Sequence, residues 1–384
     1  MIPRETLKRL ADIYSDHGTT ISFYFKPETP QNKAHQADPI LIKDKVRNLL
    51  GSMTVISRNK AGEDLARILK MSEELRMNPR PKAIFACKER DLWTDLNVGA
   101  TPETKLTMGK YFRLTPLFAG SQDETRCCIV VLDREKTRVF LMRIPEIIEQ
   151  SEIIDDEPRE VRNTGTGASS KAERKREEPV KQHFKFVADH LLHFFERNEF
   201  ELLIIGTRDE LWAELEPKLH SSLRQIMIGK FHADPGLIGP EDAREQARKI
   251  LDEHRSKENL DLLRTITGES QRNGLGAVGL GNVIAALERG EVETLLLSDQ
   301  ELGEAAECTN CGHLMPEAAA RCEICSHEMR TFDNAAECLV RKVLASNNVE
   351  LEVLSNNPQL KGLGGVAAQL RFRADQSTAQ KLAG

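Results

Sequence analysis

Apolar residues along this chain fall into two spacings: short unbroken runs, and stretches repeating every three to four residues. The first marks buried strands and the second amphipathic helices. Thr6–Tyr14 has the helical spacing. Ile21–Phe25 (ISFYF) predicts a strand that stops at KPETP, where Pro27 and Pro30 remove backbone donors. Asp38–Leu50 and Ala61–Leu75 predict two helices, and Ala83–Cys87 (AIFAC) a second strand. This strand–helix–helix–strand block makes a first domain of residues 1–123.

A middle domain, 124–240, opens with Cys127–Asp133 and Thr137–Ile144, apolar runs that predict a buried hairpin. Glu152–Ser170 is acidic and polar and reads as a loop. Ser170 and Glu173 have capping-box spacing, so a helix is expected from near Lys171 through Phe195. Phe184, Val187, Ala188, Leu191, Leu192 and Phe195 share one face of it, and Pro179 predicts a bend or a second start. Phe200–Gly206 predicts a strand; Leu211–His220 and Leu223–Ile228 fit helix or strand.

A third domain, 241–384, is entered through a helix at Pro240–Leu263, with Pro and acidic residues in its first turn. Val278–Asp299 predicts a helix, a left-handed stop at Gly290 and a strand at Thr294–Leu297. A helix at Ala335–Ala345, a strand at Val349–Leu354 and a Gly-rich turn into Val366–Phe372 complete it. The alternation predicts a mixed α/β and α+β fold in three domains.

Composition narrows the picture. The 384 residues carry a net charge of −6, which argues against a protein that coats nucleic acid everywhere but leaves room for local basic patches. No apolar run reaches the roughly 18 residues that span a bilayer. The start, MIPRETLKRLADIY, has no basic stretch followed by an apolar one. A cytoplasmic monomer without a membrane partner is expected.

Eight cysteines are present. Cys87, Cys127, Cys128 and Cys338 sit in or beside apolar runs and predict buried thiols rather than a disulfide framework. Cys308, Cys311, Cys322 and Cys325 form two C-x-x-C pairs. Each pair can turn tightly and aim two thiolates at one point, with Gly312 supplying the positive φ such a knuckle favours. Four thiolates close a tetrahedron around zinc and leave no position for water, so the expected zinc is structural, in a ribbon at 303–330. His313 and His327 follow the pairs and read as exposed or outer groups, with substitute ligation as the alternative.

Gly274, Gly276 and Gly279 match G-x-G-x-x-G. The fingerprint requires a preceding strand, and here a polar stretch, GESQRN, precedes it. A hinge and helix entry is the expected role, not a dinucleotide site. Gly362, Gly364 and Gly365 read as a turn between elements.

Residues 163–178, NTGTGASSKAERKREE, join a small-residue loop to a charged helix. Between Arg162 and Arg176 stand five basic residues, Arg162, Lys171, Arg174, Lys175 and Arg176, against one acid, Glu173. A solvated helix face is one reading; a loop whose basic root grips phosphates is the other.

The stretch KAERKREEPVKQHFKFVADHL resembles the middle domain of archaeal and eukaryotic class-1 peptide release factors, with Arg174, Arg176 and Glu178 in their Arg-x-Arg-x-Glu pattern. GLGNVIAALERGEVETLLLSD looks like the start of their third domain, where archaeal members carry a four-cysteine ribbon. GLGGVAAQLRF is similar to that domain's end in the same factors and in Pelota. ILIKDKVRNLL is a fainter likeness to the codon-reading helix. The resemblance implies a three-domain, tRNA-mimicking architecture, with Lys43, Lys45, Arg47, Gly165, Thr166, Gly167, Lys171, Arg174, Lys175 and Arg176 facing rRNA.

Two departures bear on activity. Release factors carry Gly-Gly-Gln at the loop tip; this chain has Gly165-Thr166-Gly167-Ala168, without the glutamine. The codon-reading Asn-Ile-Lys-Ser is also absent, Ile42 and Lys43 being followed by Asp44. The resemblance therefore implies a Pelota-like or bacterial member of the hibernation-factor type, related to Balon. It would occupy the ribosomal A site across both subunits, with a GTPase such as elongation factor Tu, and would not hydrolyse peptidyl-tRNA. A release hydrolase and a stand-alone RNA- or protein-binding module are the alternatives.

Overall fold

The computed structural model describes residues 2–27, 37–77, 81–98, 103–119, 126–143, 146–149, 169–197, 199–346 and 348–374. Residues Met1–Gln122 with Leu260–Gly384 form one compact unit, and Asp123–Asn259 a second.

The amino-terminal lobe of the first unit contains α1 (Arg4–Asp12), β1 (Thr20–Phe25), α2 (Ala37–Ser52) and α3 (Val55–Met77). It continues with β2 (Lys82–Cys87), β3 (Leu92–Asn97), β4 (Lys105–Gly109) and the one-turn α4 (Thr115–Phe118). The strands form an antiparallel sheet in the order β3-β2-β1-β4. Ile21, Phe23 and Phe25 point to one face, where Ile42 and Val46 of α2 and Leu65 and Ile68 of α3 cover them. Tyr24 and Phe85 point to the other face and enter a core shared with the carboxy-terminal lobe. Both faces of β1 are thus buried, and its six residues form a solid apolar-rich run instead of alternating with charge. The pattern reading missed β3 and β4. They flank the sheet, their residues are mostly half-buried, and their mixed polarity gives no strong period.

The second unit holds β5 (Arg126–Leu132), β6 (Thr137–Arg143), β7 (Glu146–Glu149), α5 (Ser169–Glu196), β8 (Leu202–Gly206), α6 (Asp209–Leu215), α7 (Ser221–Gln225) and β9 (Met227–Phe231). The sheet order is β7-β6-β5-β8-β9, with the predicted hairpin β5–β6 antiparallel and β8 parallel to both β5 and β9. Phe184, Val187, Ala188 and Leu191 of α5 are buried on this sheet as their spacing predicts, and Leu192 and Phe195 pack at its margin. The backbone of α5 is a single helix through Pro179. Leu223–Ile228 divides: α7 ends at Gln225 and β9 begins at Met227.

The long α8 (Pro240–Gln271) spans the boundary between the units. It outruns the expected end at Leu263 because Ile266 is still buried on the next core, and so GESQ of the presumed polar stretch is helical. The carboxy-terminal lobe follows with β10 (Gly276–Val278), α9 (Leu280–Glu288), β11 (Val292–Ser298), β12 (Ala305–Cys308), β13 (Leu314–Met315) and β14 (Met329–Phe332). It ends with α10 (Ala335–Ala345), β15 (Glu350–Leu354), α11 (Pro358–Gly362) and β16 (Val366–Leu370). Its main sheet has the order β10-β16-β11-β15, with β11 and β15 parallel and joined through α10. Gly290 stops α9 at φ 70°, as predicted. The G-x-G-x-x-G motif contains β10 itself. Gly276 is there because a Cβ at this position would stand 2.2 Å from the Ile266 carbonyl oxygen and 2.7 Å from the Ser270 nitrogen. The motif therefore serves close strand–helix packing at Gly276 and, as expected, helix entry at Gly279, which caps α9 at φ 83°.

Candidate metal centre

The ribbon is a second, three-stranded sheet, β13-β12-β14, inserted between β11 and α10. Its two C-x-x-C pairs build the same turn twice. In the first, Gly312 N–H donates to the Cys308 carbonyl (3.1 Å) and Cys308 N–H to the His313 carbonyl (2.8 Å). In the second, Ser326 N–H donates to the Cys322 carbonyl (2.9 Å) and Cys322 N–H to the His327 carbonyl (2.9 Å). Gly312 and Ser326 take the matching left-handed conformations, φ 69° and 60°. Ser326 pays a steric penalty that Gly312 avoids. A residue-type reading that looks for glycine finds the first turn and misses the second.

The two turns face each other. All four sulfurs lie within 4.8 Å of one another. Cys308 and Cys325 approach to 3.4 Å, Cys311 and Cys325 to 3.4 Å, and Cys311 and Cys322 to 3.6 Å. A tetrahedron with metal–sulfur bonds of about 2.3 Å has sulfur–sulfur edges of about 3.8 Å. The donor set therefore fits a metal ion. Backbone N–H groups lower the pKa of two of the four thiols, Cys308 and Cys325. Those of Cys311 and Asn310 hold Cys308 below the usual thiol range, and that of His327 leads in drawing Cys325 down to about 5. Cys308 and Cys322 are buried and Cys311 is exposed.

Neither histidine belongs to the close set of donor atoms that the four sulfurs form among the described residues. His313 Nδ1 lies 2.7 Å from a Glu288 carboxylate oxygen on α9, which also accepts the Leu314 N–H at 2.7 Å. His313 is mostly covered, whereas His327 is exposed with Nδ1 3.0 Å from the Cys325 carbonyl oxygen. The sequence reading did not single out the groups that hold the ribbon to its lobe. Lys342 Nζ on α10 donates to the Gly312 carbonyl at 2.9 Å, and Arg341 Nε lies 2.7 Å from Glu307, the residue before Cys308. Their one signal in the sequence is a basic pair among the apolar residues in the second half of AAECLVRKVLA.

The remaining candidate residues are dispersed. Lys43 and Arg47 are exposed on α2 and Lys45 is half-exposed, while Ile42 and Val46 face the core. Arg47 lies 3.4 Å from Asp44 on the same surface. Lys171, Arg174, Lys175 and Arg176 belong to the backbone of α5. Gly165, Thr166 and Gly167 lie outside the described residues. Of the residues singled out, the four cysteines are the set brought to one point. The expected buried thiols Cys87, Cys127, Cys128 and Cys338 are buried.

Residues 113–258 match the model for "Bacterial archaeo-eukaryotic release factor family 10". The chain is similar to peptide chain release factor subunit 1 of Thermococcus onnurineus, 26% identical over 64% of this chain and 66% of that protein. It is 28% identical to the Archaeoglobus fulgidus protein of the same name, over 69% of this chain and 70% of the relative. The matched segment thus spans about two-thirds of the length of these relatives. Among solved structures, a model of ribosome-bound archaeal Pelota matches over 77% of this chain and 78% of that one, at 18% identity and a TM-score of 0.40.

Proposed function

From the family match over residues 113–258 and the likeness to archaeal release factors, we propose that the chain is a bacterial archaeo-eukaryotic release factor-like protein, a translation factor that occupies the ribosomal A site without hydrolysing peptidyl-tRNA. The observation that carries this reading is an overlap. The family match, 113–258, contains both the Gly165–Gly167 stretch and α5, and Asn163–Ser170 in front of α5 contains no glutamine. Hydrolysis needs a polar group positioned at the attacking water, and Thr166 supplies no amide. What is left is occupancy.

On this reading Lys171, Arg174, Lys175 and Arg176 grip rRNA phosphates at the root of the loop, and Lys43, Lys45 and Arg47 do so from α2. The four cysteines hold structural zinc. The protein acts as a monomer in the cytoplasm, on dormant or stalled ribosomes, with a translational GTPase such as elongation factor Tu. A second reading, peptide release, is favoured by the names of the archaeal relatives. Purified protein added to ribosomes carrying labelled peptidyl-tRNA separates the two. The expected outcome is co-sedimentation with ribosomes and no peptide release above background. Rapid release that is lost on changing Gly165 and Gly167 overturns the proposal, as does absence from ribosome fractions.

A further inference from the structure

We propose that the metal-loaded ribbon is an intramolecular clamp: together with α10 it fastens α1 and residues 111–118 of the amino-terminal lobe to the carboxy-terminal lobe, so that metal release loosens those segments. This is independent of the ribosomal reading. Ribbon, α10 and amino-terminal lobe are joined residue by residue. Phe332, the last residue of β14, is buried and packs on Tyr111 of the amino-terminal lobe with ring centroids 4.6 Å apart. Arg330, on the same strand, lies over the Tyr14 ring at 5.3 Å. Asp333 accepts hydrogen bonds from the Tyr111 hydroxyl and from Arg113 (2.6 Å). Asn334 N–H donates to the Tyr111 hydroxyl oxygen (3.2 Å) while its side chain caps α10.

The contacts continue along α10. Glu337 accepts the N–H groups of Leu114 (2.7 Å) and Thr115 (3.2 Å) at the start of α4. Arg341 faces two ways: toward Glu307 in the ribbon, and toward Asp12 (3.2 Å) and the Ala11 carbonyl at the end of α1. Cationic charge there suits the negative end of the helix dipole. Arg341 and Glu307 are 17% and 15% exposed, so separating them would remove the ribbon's half of a largely desolvated charge cluster and leave Arg341 with its α1 partners alone. Arg4 of α1 returns the contact at the other end of α10, donating to the carbonyls of Val343 (2.9 Å) and Ser346.

The coupling follows from where the ribbon's own order comes from. Its strands have two to four residues and its separate core holds Ala306, Cys308, Met315, Cys322 and Met329, two of them thiols of the quartet. So small a sheet depends on its metal for folding. Losing the metal removes the fixed positions of Glu307, Arg330 and Phe332 together. What remains between the lobes is the apolar core around α10, with Leu10, Phe112 and Leu114 against Leu339 and Val343, and a cavity of ≈ 350 Å³ lined by Tyr24, Arg113, Thr115, Asp299, Asn334 and Glu337. Metal loss therefore removes the aromatic and charged fastening at the ribbon and loosens α1 and residues 111–118, while the shared core keeps the lobes together.

Hydrogen exchange on the full chain tests the clamp, first zinc-loaded and then after stripping with a chelator. Amides of α1 and of residues 111–118 should exchange roughly tenfold faster or more after stripping, along with the ribbon, while β5 and β8 of the other unit keep their rates. Linkage demands the converse. The double variant Arg4→Ala/Asp12→Ala touches no ribbon residue and should bind zinc more weakly in competition with a chromogenic chelator, with α1 exchanging faster. Unchanged exchange of α1 and 111–118 on stripping overturns the proposal. So does a double variant that binds zinc as tightly as the parent chain.

Discussion

Glu89 and Glu337 show how local surroundings send two like side chains in opposite directions. Glu89 accepts hydrogen bonds from Lys60, Ser15 (2.7 Å) and Thr19 (2.8 Å), joining the turn after α1 to α3 and β2. Lys60 leads in lowering its carboxyl from the ordinary 4.5 to about 2. Burial pushes the Glu337 carboxyl up, opposed by the N–H groups it accepts. A carboxyl whose folded-state pKa is depressed stabilises the fold fully above its unfolded value and loses that contribution as pH falls through its folded value. Glu89 therefore supports the amino-terminal lobe above pH 4.5, and its contribution fades toward about pH 2. Urea unfolding of the parent chain and of Glu89→Gln should show a gap in midpoint at neutral pH that closes across this window. A gap that does not change with pH would show that the carboxylate charge is not responsible. The sequence revealed the thiol quartet because spacing alone carries that signal. It did not reveal Glu89, Glu337 or Arg341, whose partners lie on elements distant in the chain.

Among the elements, those with one apolar helical face or an unbroken apolar run were legible: α5, α9, α10 and the strands β1, β2, β5 and β11 lie where their spacing puts them. The flanking strands β3 and β4 and the split between α7 and β9 were not, because short half-exposed segments have no strong period. The junction of α8 with β10 was also hidden. A glycine motif there looked like a hinge and proved to be a close approach of two backbones. Adding one carbon tests this. Gly276→Ala places a methyl against the Ile266 carbonyl, and since both atoms belong to backbone, α8 or β10 must shift. A loss of about 1–3 kcal/mol is expected, measured as a lower urea midpoint. Gly281→Ala, where a Cβ meets nothing within 4 Å, is the control and should leave the midpoint nearly unchanged.

For the whole molecule, the sequence reading anticipated a mixed α/β chain with an inserted four-cysteine ribbon, and the structure has both. Charge decides the most direct test of the proposed function. The chain is acidic overall, so binding to rRNA must come from local basic groups. Replacing Lys171, Arg174, Lys175 and Arg176 with alanine should weaken ribosome co-sedimentation at every salt concentration and flatten its salt dependence, because fewer counterions are released. An unaltered salt slope would place the contact elsewhere on the chain. The neck of the ribbon has a different consequence. Leu302 N–H donates to Asn334 Oδ1 at 3.0 Å and Ala335 N–H to the Gly303 carbonyl at 2.8 Å, so the peptide departs from the body and rejoins it at one spot. A segment tied off in that way can be gained or discarded as a block between relatives without rethreading the β10-β16-β11-β15 sheet. A descendant that discarded it would keep its carboxy-terminal scaffold and would hold its first hundred residues through α10 and the shared apolar core alone.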